Sequence, residues 1–297
     1  MISLLQSEMV QNAFLGGTIV AVVAALVGYF VVLRAQAFAA EAFTDIGFAG
    51  ATAAVVLGLS SLVGMLVLSL LSALGIGALG DRIRGRDVEI GMVLSFALGV
   101  GVLFLSLYTQ SSASHASGGV NILFGSLLTV RRSDIMITLV CSCVILLALA
   151  WIFRPLLFAS VDPVVAQSRG VPVRPLSILF LLLLAATAAE SILVVGVLLV
   201  SALLIAPAAA ATNIARRPRT TLLLAVALSL VVTWSGLLLA FFGTWRHFSV
   251  GFYIAVLASL VYFCSVLLGR WLAPRRTITR LQTGCEKAGC EKRSMVC

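Results

Sequence analysis

Glu41 and Asp45 lie one helical turn apart in a segment, Phe38 to Leu59, whose other residues are suited to lipid. Carboxylates are costly in hydrocarbon, so a pair on one helix face suggests a positively charged cargo. The other reading is that Glu41 pairs with Arg34 or caps an interfacial turn, and that Asp45 is satisfied by Thr44, Thr52 or another helix. Along a helix Asp45 falls about 16 Å beyond Arg34, close to mid-membrane, with Glu41 one turn nearer the cytoplasm. Two carboxylates there would give a hard divalent cation an oxygen-rich waypoint. Three further residues carry charge or ligand chemistry. Glu190 sits between two apolar runs, which reads as a tight turn at the external interface and a candidate access or gate position. His115 lies in a Ser/Gly-rich external loop and fits either metal capture or a solvated loop side chain. His247, beside Trp245 and Arg246, reads as an interfacial anchor.

Other chemistries are missing from the sequence. No glycine-rich phosphate loop with its lysine occurs, so ATP hydrolysis by that route is excluded for this chain. Neither histidine has metal-ligand spacing with cysteine or another histidine, and no serine or cysteine triad can be assembled at one depth. These gaps argue against an enzyme acting alone.

The elements that must position the acidic pair follow from composition. The chain has 297 residues, is 61% hydrophobic and 10% charged, and its mean hydropathy is +1.16. A soluble chain would carry about a quarter charged residues. Intervals free of charge, such as 9–33, 46–80, 90–130, 191–215 and 220–245, are each long enough to hold a span of about 20 residues. The reading is an all-α, polytopic membrane protein with about nine spans: 13–33, 36–58, 61–80, 88–108, 134–153, 175–189, 191–213, 220–243 and 250–273. The net charge of +9 gathers at Arg82–Arg86, Arg154–Arg174, Arg216–Arg219 and after Arg270. That is the positive-inside pattern, so it reports orientation rather than nucleic acid and puts the C-terminus in the cytoplasm. Met1 to Phe14 lacks a basic start, which predicts a retained first span.

Residues 1–273 read as one transmembrane domain, and 274–297 as a polar, basic, disordered tail. Cys141, Cys143 and Cys264 read as small packing residues within spans. Cys285, Cys290 and Cys297 match no standard metal-finger spacing and belong to that tail. Residues 155–175 read as a cytoplasmic segment holding a helix of about two turns, 162–170. Asp162 is its N-cap, Pro163 its first residue, and Gly170 followed by Pro172 its stop. Gly196 and Pro207 fall inside the seventh predicted span, where a kink is expected.

Five segments, in order, resemble the membrane permease subunit of the ATP-binding-cassette importers for manganese, zinc and iron(II). They are FVVLR with FAAEAFTDIGFAG (30–34 and 38–50), EIGMVLSFALGVGVLFLSL (89–107), LFGSLLTV (123–130), DPVVAQSRGVPV (162–173) and VGVLLVSALLIAPAAAAT (195–212). The resemblance implies a type II importer, with ATP bound by separate cytosolic ATPase subunits. Its other parts would be an extracytoplasmic metal-binding protein and a second permease chain, in a multi-pass assembly held in membrane lipid. It also implies that Asp162, Pro163, Arg169 and Gly170 form the helix that couples to the ATPase, and that Gly196 and Pro207 belong to the gate. The family usually has an acidic residue and then Ser-His; here Glu41, Thr44 and Asp45 stand at those places. A carboxylate replacing imidazole leans toward manganese or iron(II) over zinc. Two rivals follow from the same residues: an ion-coupled secondary transporter using Glu41, Asp45 and Glu190 as relays, or a siderophore or corrinoid permease.

Overall fold

A computed structural model describes residues 8–79, 86–111, 132–215, 217–242 and 250–272, which are helical apart from short joints, with no strand among them. The helices are α1 (Glu8–Leu33), α2 (Ala37–Val56), α3 (Ser61–Leu79), α4 (Arg86–Ser111), α5 (Arg132–Val161), α6 (Pro163–Ser168), α7 (Val173–Val195), α8 (Val197–Ile214), α9 (Pro218–Phe242) and α10 (Val250–Leu272). Eight are long and apolar enough to cross a membrane, and α3 adds a shorter apolar stretch, Ser61–Gly77. The chain is therefore an all-α, multi-pass membrane protein.

Contacts at the helix ends fix the relative directions. Arg132 at the start of α5 pairs with Glu8 at the start of α1, at 2.8 Å. At the opposite end Arg34, just past α1, donates to Ser177 Oγ near the start of α7, at 3.2 Å, and its guanidinium lies over the Phe180 ring. Thus α1 and α5 run parallel, and α7 runs against both. Burial separates two classes of helix. In α2 78% of the apolar window is inside the protein, against 17% in α4, so α2 is an interior element and α4 presents its sides to lipid. The inner helices pack closely through small residues. Gly50 of α2 and Gly64 of α3 rest against each other's carbonyl, an approach that any β-carbon would block.

Several boundaries differ from the sequence reading. The turn expected at Glu190 lies at Gly196, which alone separates α7 from α8. Gly196 has φ 90° and ψ 159°, a region that essentially only glycine occupies. It is therefore the corner of a helical hairpin and not a kink inside a span. Pro207 does lie within a helix, α8. The fifth helix does not end near residue 153: α5 continues through Arg154 and Pro155 to Val161, so the first part of the 155–175 segment is helical. Pro155 costs one backbone hydrogen bond, which an apolar helix packed on α7 tolerates. Cys143 and Cys264 are exposed on the outer faces of their helices, and Cys141 is half-buried, so the first two are not packing residues. Residues 112–131 with His115, Trp245 to His247, and the C-terminal residues with Cys285, Cys290 and Cys297 lie outside the described residues.

Candidate functional site

The acidic pair sits on the most enclosed helix. Asp45 is 4% exposed and Thr44 1%, while Glu41 is half-buried. The neighbouring hydroxyls are committed elsewhere. Thr44 Oγ1 donates to the Ala40 carbonyl at 3.0 Å, and Thr52 Oγ1 donates to the Phe48 and Ala49 carbonyls at 3.1 and 3.0 Å. Such bonds back to the preceding turn are usual for threonine in an apolar helix. Among the described residues no side chain hydrogen-bonds or ion-pairs with Glu41 or Asp45. Two carboxylates thus stand one turn apart on one face of the helix, with no ion-pair partner among the described residues. Among the described residues no group of three or more His, Cys, Asp or Glu side chains forms a closed metal cage. Two oxygen donors per chain suit an ion in transit better than a resident one.

Glu190 is arranged differently. It is 6% exposed, well inside α7, about 9 Å short of the Gly196 corner. One oxygen accepts a hydrogen bond from Ser142 Oγ of α5. The other, Oε2, is buried with no hydrogen-bond partner among the described residues. A small space beside it is lined by Leu62, Leu66, Thr138 and Cys141. The interfacial position expected for Glu190 is thus replaced by a buried one. A carboxylate between two apolar runs looks like a surface marker in sequence, but its hydroxyl partner stands 48 residues away and has no local signature.

The two acidic regions do not meet. The Ile192 side chain of α7 and Ser69 Oγ of α3 lie against Gly47 of α2, so α2 and α7 touch at Gly47 and Ile192. Asp45 and Glu190 each lie two residues from that contact, a rotation of about 200° about their own helix axes. Each carboxylate therefore turns away from the contact.

The Asp162 segment folds as its residues dictate. Asp162 Oδ1 accepts from the Val164 and Val165 amides at 3.1 and 3.0 Å, and Pro163 opens the helix. At the other end Gly170 has φ 81°; its amide reaches the Gln167 carbonyl at 3.0 Å and the Val171 amide reaches that of Ala166 at 3.1 Å. That pair of bonds is the Schellman stop, which favours glycine at the left-handed position. The six-residue helix so made is close to the two turns expected. It buries Ala166 and leaves Val164 75% exposed at the Arg34 end of the molecule, beside an exposed Arg169.

Comparison with known proteins agrees with this architecture. The solved structure of PsaBC from Streptococcus pneumoniae in complex with Fab superposes with a TM-score of 0.79 at 27% identity, covering 95% of this chain and 100% of that one. The manganese import system permease protein ScaB of Streptococcus parasanguinis is 32% identical over 57% of this chain and 59% of its own length. The manganese transport system membrane protein MntC of Halalkalibacterium halodurans is 30% identical over 60% of each. The chain thus spans about three-fifths of the length of the curated relatives it matches. The model of the ABC 3 transport family matches residues 6–269, nearly the whole membrane domain, and the chain belongs to that family.

Proposed function

We propose that this chain is the permease subunit of an ATP-driven importer for divalent transition metal, with manganese as the first candidate and iron(II) and zinc as the others. The observation that carries the reading is the Glu41–Asp45 pair on α2, with Asp45 buried, Glu41 half-buried and neither ion-paired among the described residues. Hard oxygen donors suit manganese and iron(II) better than zinc, and both named relatives carry manganese in their names. In this reading a dehydrated dication meets Asp45 and Glu41 near mid-membrane. A second permease chain would supply a mirrored pair, giving four carboxylates around one passage.

Family membership supports the remaining parts of the reading. Cytosolic ATPase subunits hydrolyse ATP and press on α6, whose exposed Val164 and Val165 offer an apolar contact and whose Asp162 and Gly170 caps keep it rigid. The helix joins α5 directly to α7, so a push on it reaches both. An extracytoplasmic metal-binding protein delivers cargo at the end carrying the Gly196 corner, and the C-terminus is cytoplasmic. Gly196 and Pro207 shape the helical hairpin on the gate side. Uptake of radiolabelled manganese by cells carrying Glu41→Ala with Asp45→Ala tests the reading: uptake should fall to background while the permease still assembles with its ATPase. Unchanged uptake kinetics would remove the pair from the pathway.

A further inference from the structure

A cleft of about 540 Å³ opens on the outer side of the bundle between α1, α5 and α9. Leu26 and Phe30 of α1, Leu149 and Phe153 of α5, and Leu222 of α9 form its apolar walls, and Arg154 stands at one end. Trp151, 85% exposed, lies along the same opening. The Phe30 and Phe153 rings meet edge-on at 5.5 Å, which sets Arg154 at the level of the last turn of α1, about one turn short of Arg34 along the helix axis. The cleft therefore starts at the boundary of the apolar layer on the α6 side. It runs outward past Leu146, about 12 Å farther along α5.

Charge at that boundary is one-sided. Arg219 is exposed one turn before Leu222 on α9, and Arg154 is exposed on α5. Among the described residues no acidic side chain pairs with either. Asp162, the acidic group that follows on the same side, is engaged in capping α6. A guanidinium at the edge of hydrocarbon without a protein anion calls for an anion from the surroundings. An apolar groove beside it, open to the bilayer, calls for something apolar to fill it, because empty walls forfeit dispersion contacts. One molecule of the leaflet meets both demands.

We propose that this cleft is a binding site for an anionic diacyl phospholipid, with one acyl chain lying along Phe30, Leu149 and Leu222 and the phosphate against Arg154 and Arg219. Basic pockets between helices on the cytoplasmic side hold anionic headgroups by this combination of charge and chain burial. Assignment to the cytoplasmic leaflet rests on the orientation proposed above; the binding itself does not. A lipid held there braces α5 against α1 and α9, directly upstream of α6.

Native mass spectrometry of the full purified chain, titrated with phosphatidylglycerol or phosphatidylcholine of matched chain length, tests the site without measuring transport. Phosphatidylglycerol should be retained over phosphatidylcholine by about fivefold for each arginine engaged. Arg154→Gln should lower that preference by about the same factor, Arg154→Lys should keep most of it, and Ala150→Trp should displace both lipids by filling the cleft. Equal retention of the two lipids by the unaltered chain would overturn the proposal. So would an Arg154→Gln variant with undiminished preference, or dimers that dissociate on Ala150→Trp while lipid stays bound, since a second copy would then be the occupant.

Discussion

Asp45 of α2 and Glu190 of α7 each lie two residues before the Gly47–Ile192 contact of their helices, so the two carboxylates share nearly one depth. Both are buried in protein. Their surroundings nevertheless differ in kind. Glu190 takes a hydrogen bond from Ser142 of α5, and its second oxygen is sealed beside a small apolar space. Asp45 takes none from the described residues, stands one turn from a second carboxylate, and is not among the sealed, unpartnered groups. Burial by itself therefore does not mark a conduit. The Ser142–Glu190 hydrogen bond ties α5 to α7. A carboxylate without a protein partner and one turn from its like is relieved either by a proton or by a mobile cation, and the second of these is what the proposed pathway requires.

The strongest test of that contrast is the Glu41→Ala and Asp45→Ala pair. If each carboxylate contributes about 1.4 kcal/mol to holding the ion at its waypoint, loss of both should lower manganese uptake by about 100-fold. Folding, followed by thermal unfolding in detergent, should change little, because removing two like charges also removes their repulsion. Ser142→Ala should show the opposite split. It leaves the buried Glu190 carboxylate without its donor, a loss of about 1–3 kcal/mol in stability, with metal affinity in transport assays unchanged. A large uptake defect with normal stability in that variant would put Glu190 on the pathway and break the comparison.

A third carboxylate, Asp162, calibrates the other two, since it is exposed and its role is capping. Asp162→Ala should cost about 1 kcal/mol of local helix stability, and with Arg169→Ala it should uncouple ATP hydrolysis by the assembled complex from metal uptake. Normal coupling would remove α6 from the transmission path. The smallest effect is expected from Glu190→Gln, which keeps the shape and a hydrogen bond to Ser142 while removing the buried charge. Its uptake should stay within about twofold of the parent and its stability should hold or rise, because an isosteric neutral group avoids the burial cost of a charge. An uptake defect approaching that of Asp45→Ala would erase the distinction between the two regions.

Much of this architecture is written locally. Apolar intervals of span length fix the crossing helices, because hydrocarbon demands internally satisfied backbone. The Asp162–Pro163 start and Gly170 stop fix α6, because those caps act through neighbouring amides and carbonyls. The i,i+4 spacing puts Glu41 and Asp45 on one face of α2 whatever surrounds them. Tertiary structure decided the rest. Whether Gly196 bends a helix or ends one depends on where α8 must pack; it runs back beside α1, with Leu204 and Ala208 against Gly28. Whether Pro155 ends a span depends on the partners of α5. Whether Glu190 faces water or Ser142 depends on a contact across 48 residues. Sequence spacing determines faces and caps because they arise within a few residues; which face meets which neighbour is fixed only when the helices pack.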